Sequence, residues 1–297
     1  MATFQRIVED IRDLKIQGAE NVAKAGIDAL SIVADKNKSR GDFTDVLKKA
    51  ETILIKTRPT EPCMRNSLGY VLSDIEKEED AFEVFKKRAL SVKRHFEHTD
   101  EKIAQIGAKK IVDKGIVFTH CHSSTVIRIL KKAKKNRRRF HVHNTETRPF
   151  FQGRITAKEL ARAGIPVVHY VDSAARLALK KADIMLIGAD AITSEGKVIN
   201  KIGSELFAEV ADRYGVPVYV CADSWKFDPK TVFGYETEIE KRPVKEVWPT
   251  APRGVLIDNH AFEKIDSDLI TGVISELGIY RPEVFVQEVK RVYPWIM

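Results

Sequence analysis

The chain has 297 residues, of which 43% are hydrophobic and 31% are charged. This composition can bury a sizeable core and is too apolar for a disordered chain. No apolar stretch approaches the roughly 20 residues that span a bilayer, so we expect no membrane contact. The formal net charge of +8 favours anionic partners: phosphorylated small molecules, nucleic acids or acidic proteins.

The cysteines and the amino terminus predict a reduced, cytoplasmic protein. The three cysteines are odd in number and widely separated, which argues against a disulfide framework and a structural zinc site. Residues 1–6 lack the apolar core of a secretory signal. Four histidines alternate along strand-like segments without an acidic residue at ligand spacing, so we predict no metal site: His120, His122, His141 and His143.

The first hundred residues predict a bundle of amphipathic helices. Apolar residues recur there with the i, i+3, i+4, i+7 spacing of a helix that has one buried face. Pro59 and Pro62 interrupt the pattern, because two prolines so close together break a helix. We therefore place a helical domain at residues 1–105. The predicted helices cover residues 3–14, 19–33, 43–55, 66–75 and 79–99.

The remainder, residues 106–297, predicts an α/β domain. Short, nearly all-apolar strands alternate with helices, which is typical of a parallel sheet covered on both faces. The right-handed crossover rule then gives a Rossmann-like, doubly wound sheet. The predicted strands cover residues 116–119, 140–143, 166–171, 184–187, 217–221 and 255–257. The predicted helices cover residues 124–135, 156–163, 173–181 and 201–214.

Ligands of such sheets bind beyond the carboxyl ends of the strands, and Cys121 follows the first strand. A helix begins just after it, and a helix N-terminus favours a thiolate over a thiol. The hydroxyls of Ser123, Ser124 and Thr125, with the helix N–H groups, are suited to a phosphate. The alternative is an inert, buried cysteine beside serines that cap the helix.

Two charged residues follow the next strands. Arg148, in a polar loop after the second strand, can grip a phosphate with two hydrogen bonds; the alternative is a surface ion pair with Glu146. Asp190 follows the fourth strand among small and apolar residues, a setting that raises the pKa of a carboxyl group and suits a proton donor. The alternative for Asp190 is a cap on the next turn.

Further polar residues extend the predicted site. Asn200 and Lys201 precede a helix start suited to a phosphorylated ligand. Lys226 follows the fifth strand and is either a ligand-binding charge or a solvated lysine. Arg58 lies in the proline-rich break and could close over a ligand. The basic run of residues 131–139 lies at the far end of a helix from this site, so we interpret it as a solvated face and expect no nucleic-acid partner.

Five motifs in order carry a family resemblance: residues 57–60 (TRPT), 119–121 (THC), 146–153 (ETRPFFQG), 188–190 (GAD) and 200–203 (NKIG). The set resembles the family that unites the regulatory subunits of translation initiation factor 2B with sugar-phosphate isomerases. The resemblance covers nearly the whole chain. It implies a helical N-terminal domain followed by a Rossmann-like domain, and self-association into a dimer or a hexamer.

Within this family the archaeal isomerase branch is the most similar. The resemblance implies conversion of α-D-ribose 1,5-bisphosphate to D-ribulose 1,5-bisphosphate in nucleoside and AMP salvage. Cys121 and Asp190 would be the catalytic pair, and no cofactor would be needed. The alternative is a non-catalytic regulatory subunit that binds a nucleotide or sugar phosphate and assembles with the alpha subunit of initiation factor 2.

The resemblance also implies a set of substrate-binding residues. In one segment the sequence departs from the isomerases, which carry Arg-Gly-Ala at the start of an N-terminal helix. Here Gln17 replaces the arginine, and Glu20 stands where a small residue is expected. The implied substrate-binding residues are Gln17, Gly18, Ala19, Glu20, Arg58, Ser123, Ser124, Thr125, Arg148, Asn200, Lys201 and Lys226.

Overall fold

The computed structural model describes residues 3–237, 239 and 241–297. Residues 1 and 2, which belong to the segment examined above for a secretory signal, lie outside the described residues. In the described part of the chain no helix is long and apolar enough to cross a membrane. The helices of the first part are α1 (Phe4–Arg12), α2 (Ala19–Asn37), α3 (Phe43–Thr57), α4 (Pro62–Leu72) and α5 (Ala81–Ala108).

All five predicted N-terminal helices are present, with shifted ends. Helix α4 begins at Pro62, four residues before the predicted start, because a proline in the first turn lacks only an N–H that would have no helical partner. Helix α5 continues nine residues past its predicted end at residue 99. The predicted domain boundary at residues 105 and 106 therefore falls inside α5.

The second part is built on a seven-stranded sheet with the order β10-β9-β7-β4-β1-β2-β3. Every neighbouring pair is parallel except β9 and β10, so the doubly wound α/β class is confirmed. A smaller antiparallel sheet has the order β5-β6-β8. The strands are β1 (Gly115–Thr119), β2 (Phe140–Thr145), β3 (Val167–Tyr170), β4 (Ile184–Ile187), β5 (Ala191–Ile192), β6 (Val198–Lys201), β7 (Val218–Cys221), β8 (Phe262–Ile265), β9 (Gly272–Ser275) and β10 (Gly278–Tyr280).

The helices of this part are α6 (Ser124–Lys135), α7 (Gln152–Arg162), α8 (Ala175–Leu179), α9 (Ser204–Arg213) and α10 (Pro282–Val292). The helix predicted from residue 201 begins at Ser204, because residues 198–201 form strand β6 and Gly203 adopts a left-handed φ of 100°. The helix predicted from residue 156 begins at Gln152.

The strand predicted at residues 255–257 is wrong. Leu256 is 98% exposed there, and the segment pairs with no strand among the described residues. The position beside β7 is taken by β9, whose four residues are all buried. A three-residue apolar run carries too little information to distinguish a strand from an exposed loop.

One hydrophobic core joins the two parts of the chain. It includes Leu30 and Phe85 from the helical part together with Phe118 and Val220 from the sheet, all of them buried. Helix α5 also packs along α6, the first helix after β1. The helical part is therefore fixed against the sheet, beside the carboxyl ends of its strands.

Candidate active site

A cavity of about 590 Å³ opens at the carboxyl edge of the sheet, between the sheet and the helical part. It is lined by the loop before α2, the proline-rich break, the β1–α6 turn, the ends of β4 and β6, and the loop after β7. All but one of the predicted site residues line it: Gln17, Gly18, Ala19, Glu20, Arg58, Cys121, Ser123, Ser124, Thr125, Asp190, Asn200, Lys201 and Lys226.

Cys121 lies two residues after β1 and is half-buried, with a left-handed φ of 64°. Burial raises the pKa of its thiol to about 11; the charge of Lys201 and a backbone hydrogen bond from His122 oppose this, and the carboxylates of Asp190 and Asp172 add to it. In the free protein the pKa of Cys121 is thus shifted in the direction opposite to the one predicted from the helix N-terminus.

Helix α6 is capped by the serine that precedes it. The Ser123 hydroxyl accepts a hydrogen bond from the backbone N–H of Val126 at 3.3 Å, so one N–H of the first turn is already used. Cys121 precedes this cap by two residues and lies outside the helix.

Asp190 follows β4 across the cavity. Its backbone N–H donates to the Ile199 carbonyl at 2.8 Å, which joins the end of β4 to β6. A Cβ on Gly188 would lie 2.8 Å from the Ser123 hydroxyl oxygen, so the glycine permits a close approach of the β4 end to the β1–α6 turn. This approach brings the Cys121 and Asp190 segments to one cavity.

Two lysines enter the cavity from the sheet side. Lys201 ends strand β6, is 6% exposed and lies over the Phe262 ring at 5.4 Å. Lys226 follows β7 and donates from Nζ to the Ala189 carbonyl at 2.6 Å, next to Asp190. Asn200 donates from Nδ2 to the Ser204 hydroxyl at 2.9 Å, which fixes the amide at the start of α9.

The helical part contributes a buried ion pair. Arg58 and Glu61 are 6% and 2% exposed, and a guanidinium nitrogen lies 2.8 Å from a carboxylate oxygen of Glu61. Gln17 is exposed and donates from Nε2 to the Leu14 carbonyl at 2.7 Å. Gly18 adopts a φ of 85° at the start of α2, a conformation that favours glycine.

Glu20 is compensated by two cations. Its carboxylate oxygens lie 2.5 Å from Lys24 Nζ and 3.0 Å from Arg128 Nη1. Burial favours the neutral acid, but these two cations outweigh it and lower the pKa of Glu20. Asp100 binds the same Arg128 at 2.6 Å, and burial together with the Glu20 charge raises its pKa to about 7. The pairing reduces the repulsion that Glu20 would exert on a bound phosphate.

Arg148 is the predicted residue that does not line the cavity. Its exposed guanidinium donates to the Val247 carbonyl at 3.2 Å and lies 5.0 Å from the Phe151 ring. Its backbone N–H donates to Asp172 at 2.8 Å. The alternative partner, Glu146, instead pairs with Arg154 at 3.0 Å.

Several lining residues were not predicted to be part of the site. His120, His122 and Gln152 stand beside or within the motifs noted above, which was the available signal. Of the other residues, Glu61 directly follows the motif at residues 57–60, and the rest carry no motif. The cavity is also lined by Lys15, Glu61, Asp100, Asp223 and Arg242.

Among residues 3–237, 239 and 241–297, no group of three or more His, Cys, Asp or Glu side chains is arranged to hold a metal ion. The two histidines that line the cavity have protein partners. His120 contacts Thr145 and the Ile202 carbonyl, and His122 contacts Thr156.

The sequence model of the initiation factor 2 subunit family matches residues 15–282. The chain belongs to this family. A family member named ribose 1,5-bisphosphate isomerase, from Pyrococcus furiosus, is 38% identical over 97% of this chain and 94% of its own length. A protein of the same name from Thermococcus kodakarensis is 36% identical over 98% of this chain and 95% of its own length. A solved structure described as translation initiation factor eIF-2B of Pyrococcus horikoshii OT3 superposes with a TM-score of 0.85 at 29% identity, over 96% of this chain and 98% of its own.

Proposed function

We propose that the chain is an isomerase that converts α-D-ribose 1,5-bisphosphate to D-ribulose 1,5-bisphosphate. One observation carries the proposal: Cys121 and Asp190 line a single cavity that also holds several cationic side chains. A sugar with two phosphates needs such positive charge. The relatives with this enzyme name favour it over a non-catalytic regulatory subunit. The cations are Lys15, Arg58, Lys201, Lys226 and Arg242.

The substrate dictates acid–base chemistry. Its anomeric oxygen carries a phosphate, so the ring cannot open to a free aldehyde, and cleavage of the bond from C1 to the ring oxygen needs an acid. Protonated Asp190 donates a proton to the ring oxygen as that bond breaks, and the Cys121 thiolate removes the C2 proton. The Cys121 thiol then returns its proton to C1 of the resulting enol phosphate, and the Asp190 carboxylate takes the C2 hydroxyl proton, which leaves the ketone and restores both groups. No redox step or cofactor enters this sequence.

We infer that Cys121 and Asp190 share one proton during the reaction. The Asp190 carboxylate is one of the charges that keep Cys121 a thiol. Transfer of the thiol proton to Asp190 removes that repulsion and creates both reactive forms together, a thiolate base and a carboxylic acid. The Lys201 charge and the His122 N–H favour the thiolate side. This shared proton replaces the helix N-terminus as the reason for activation.

The test is phosphorus NMR of the protein with α-D-ribose 1,5-bisphosphate, beside Cys121→Ser and Asp190→Asn variants. We expect the anomeric phosphate signal to convert to that of a ketose phosphate. Each variant should lower kcat by about 10²- to 10⁴-fold, the usual contribution of a positioned acid or base. Lack of conversion by the unaltered protein, or near-normal turnover by Cys121→Ser, would overturn the proposal.

We also propose that the protein is a cytoplasmic homo-oligomer, either a dimer or a hexamer. All three cysteines are free, as in a reducing compartment. Apolar side chains on and after the edge strand β3 are 43–65% exposed and support self-association: Val168, Val171 and Leu177. Light scattering at two protein concentrations tests this, and a monomer at both would contradict it.

A further inference from the structure

The backbone of Cys121 is held in a conformation that a residue with a side chain rarely adopts. Its φ of 64° lies in the left-handed region, where the Cβ crowds the following carbonyl. Such conformations persist only where the surroundings over-determine them. The position of the sulfur depends on this angle, because the Cα–Cβ bond turns with it.

Two threonine hydroxyls form hydrogen bonds with the backbone N–H and the carbonyl of Cys121. The Cys121 N–H donates to Thr147 Oγ1 at 3.0 Å, and Thr156 Oγ1 donates to the Cys121 carbonyl at 2.8 Å. Thr147 follows β2 and Thr156 lies on α7, so the two hydrogen bonds come from separate elements. The two threonines are 0% and 2% exposed, so water cannot readily replace either bond.

The Thr147 side is backed by a neutral histidine. The Nε2 atom of His120 lies 2.9 Å from the Ile202 carbonyl, which can only accept, so Nε2 carries the proton. Nδ1 is then an acceptor, and it lies 2.6 Å from the Thr145 hydroxyl and 3.3 Å from Thr147 Oγ1. Burial lowers the pKa of His120 to about 4, which keeps this arrangement unchanged at neutral pH.

We propose that Thr147 and Thr156 are positioning residues that clamp the Cys121 backbone and so hold its sulfur in place within the cavity that Asp190 also lines. The inference rests on the proposed function, since it assigns the clamp to the proton transfer at C2. Without either hydroxyl, the backbone relaxes toward negative φ and the sulfur leaves its place. The cationic side chains of the cavity still bind the substrate phosphates, so substrate binding is retained while proton transfer at C2 fails.

The kinetic test compares Thr147→Val and Thr156→Val with the matched serine variants. Valine keeps the shape and removes the hydroxyl, whereas serine keeps the hydroxyl. A displaced catalytic group lowers kcat by about 10²-fold, so we expect this loss with KM changed less than about threefold, and recovery in the serine variants. Thr271→Val is the control. The Thr271 hydroxyl accepts a hydrogen bond from the Val218 N–H at 3.0 Å at the amino ends of the strands, on the side of the sheet away from the cavity.

A second readout needs no substrate: the rate at which iodoacetamide alkylates Cys121 as a function of pH, with Cys121→Ala as the background. In the unaltered protein the rate should rise about tenfold per pH unit up to a pKa near 11. Burial is the main cause of the raised pKa of Cys121, so in the valine variants a displaced, more exposed sulfur should have a lower pKa and react faster at pH 8.

The outcomes separate the two proposals. Valine variants that keep kcat, serine variants as impaired as valine, or an unchanged alkylation profile would each overturn the clamp. If the unaltered protein lacks isomerase activity, the proposed function fails, and the alkylation profile still decides whether the threonines place the sulfur. A valine variant that does not fold leaves the serine variant and the second threonine to decide.

Discussion

Lys201 and Arg148 show how the placement of one side chain decides its role. Both are cations near the carboxyl end of a strand: Lys201 is the last residue of β6, and Arg148 follows β2. Lys201 is 6% exposed inside the cavity, whereas Arg148 is exposed and turned onto the Val247 carbonyl. The difference arises from the loop after β2, where the N–H groups of Thr147 and Arg148 donate to Asp172. A sequence motif does not predict the direction in which a side chain points within a loop.

This contrast predicts unequal effects of mutation. Lys201→Ala removes a charge from the cavity and should lower kcat/KM about 30-fold, equivalent to about 2 kcal/mol for a charge-assisted hydrogen bond. Arg148→Ala should change kcat/KM less than about twofold. Steady-state kinetics with ribose 1,5-bisphosphate measure both. An equal loss in Arg148→Ala would mean that Arg148 enters the site when substrate binds.

At the scale of elements, helix α5 positions α6 and with it the Ser123–Thr125 hydroxyls. The contact is close at Gly107, where an added Cβ would lie 2.6 Å from Cδ1 and 2.8 Å from Cγ1 of Ile129. The whole isoleucine side chain, and not only its end, would have to move. The separation of α5 and α6 therefore depends on a residue without a side chain.

Gly107→Ala should destabilise the protein by about 1–3 kcal/mol, the usual effect of overpacking a core, and should raise KM as α6 shifts. Gly69→Ala is the matched control, because Gly69 lies on α4, is exposed and has open space where the Cβ would be. That substitution should stabilise by about 0.5–1 kcal/mol. Urea unfolding measures both values. Equal effects would contradict a role for the α5–α6 contact.

The elements themselves were largely predictable, because strands buried on both faces and one-sided helices leave strong patterns. Helix α6 and strand β4 have the predicted bounds. The antiparallel strands β5, β6 and β8 were not predicted. Strand β5 has only two residues, and half of β6 consists of the polar site residues Asn200 and Lys201. Strand β9 was missed because it begins with a glycine and ends with a serine, which leaves an apolar run even shorter than the one at residues 255–257.

At the scale of the whole molecule, a buried polar cluster joins the helical part to the sheet. Asp223, after β7, lies 3.0 Å from His95 Nε2 and accepts a hydrogen bond from Thr99 at 2.7 Å, both on α5. Glu276, after β9, accepts hydrogen bonds from the Ser224 hydroxyl and from its backbone N–H. No sequence pattern indicates this cluster, because its members come from three segments of the chain that are separated by 124 and 52 positions.

The cluster also borders the cavity. Asp223 lines it, and Lys226 follows on the same turn. The His95 ring stacks on Trp225 with 3.9 Å between ring centroids, which fixes that turn against α5. The cluster that joins the two parts therefore also fixes the turn that carries Lys226. Because the cluster contains titratable side chains with shifted pKa values, the stability of the fold depends on pH.

Burial, and then the nearby Asp223 carboxylate, raises the pKa of Glu276 from 4.5 to about 7. The folded state therefore keeps a proton that the unfolded chain releases, so the contribution to stability is complete below pH 4.5 and is lost as pH rises to about 7. The contribution of His95 to stability has the same sign of pH dependence. Although burial favours its neutral ring, Asp223 raises the pKa of His95, and this contribution is lost as pH rises above 6.5.

Chemical unfolding of the protein and of Glu276→Gln, from pH 5 to 7.5, should show the unaltered protein losing about 2 kcal/mol of unfolding free energy relative to the variant. A difference that stays constant with pH would mean that Glu276 is ionised throughout, and that the cluster joins the two parts without storing a proton.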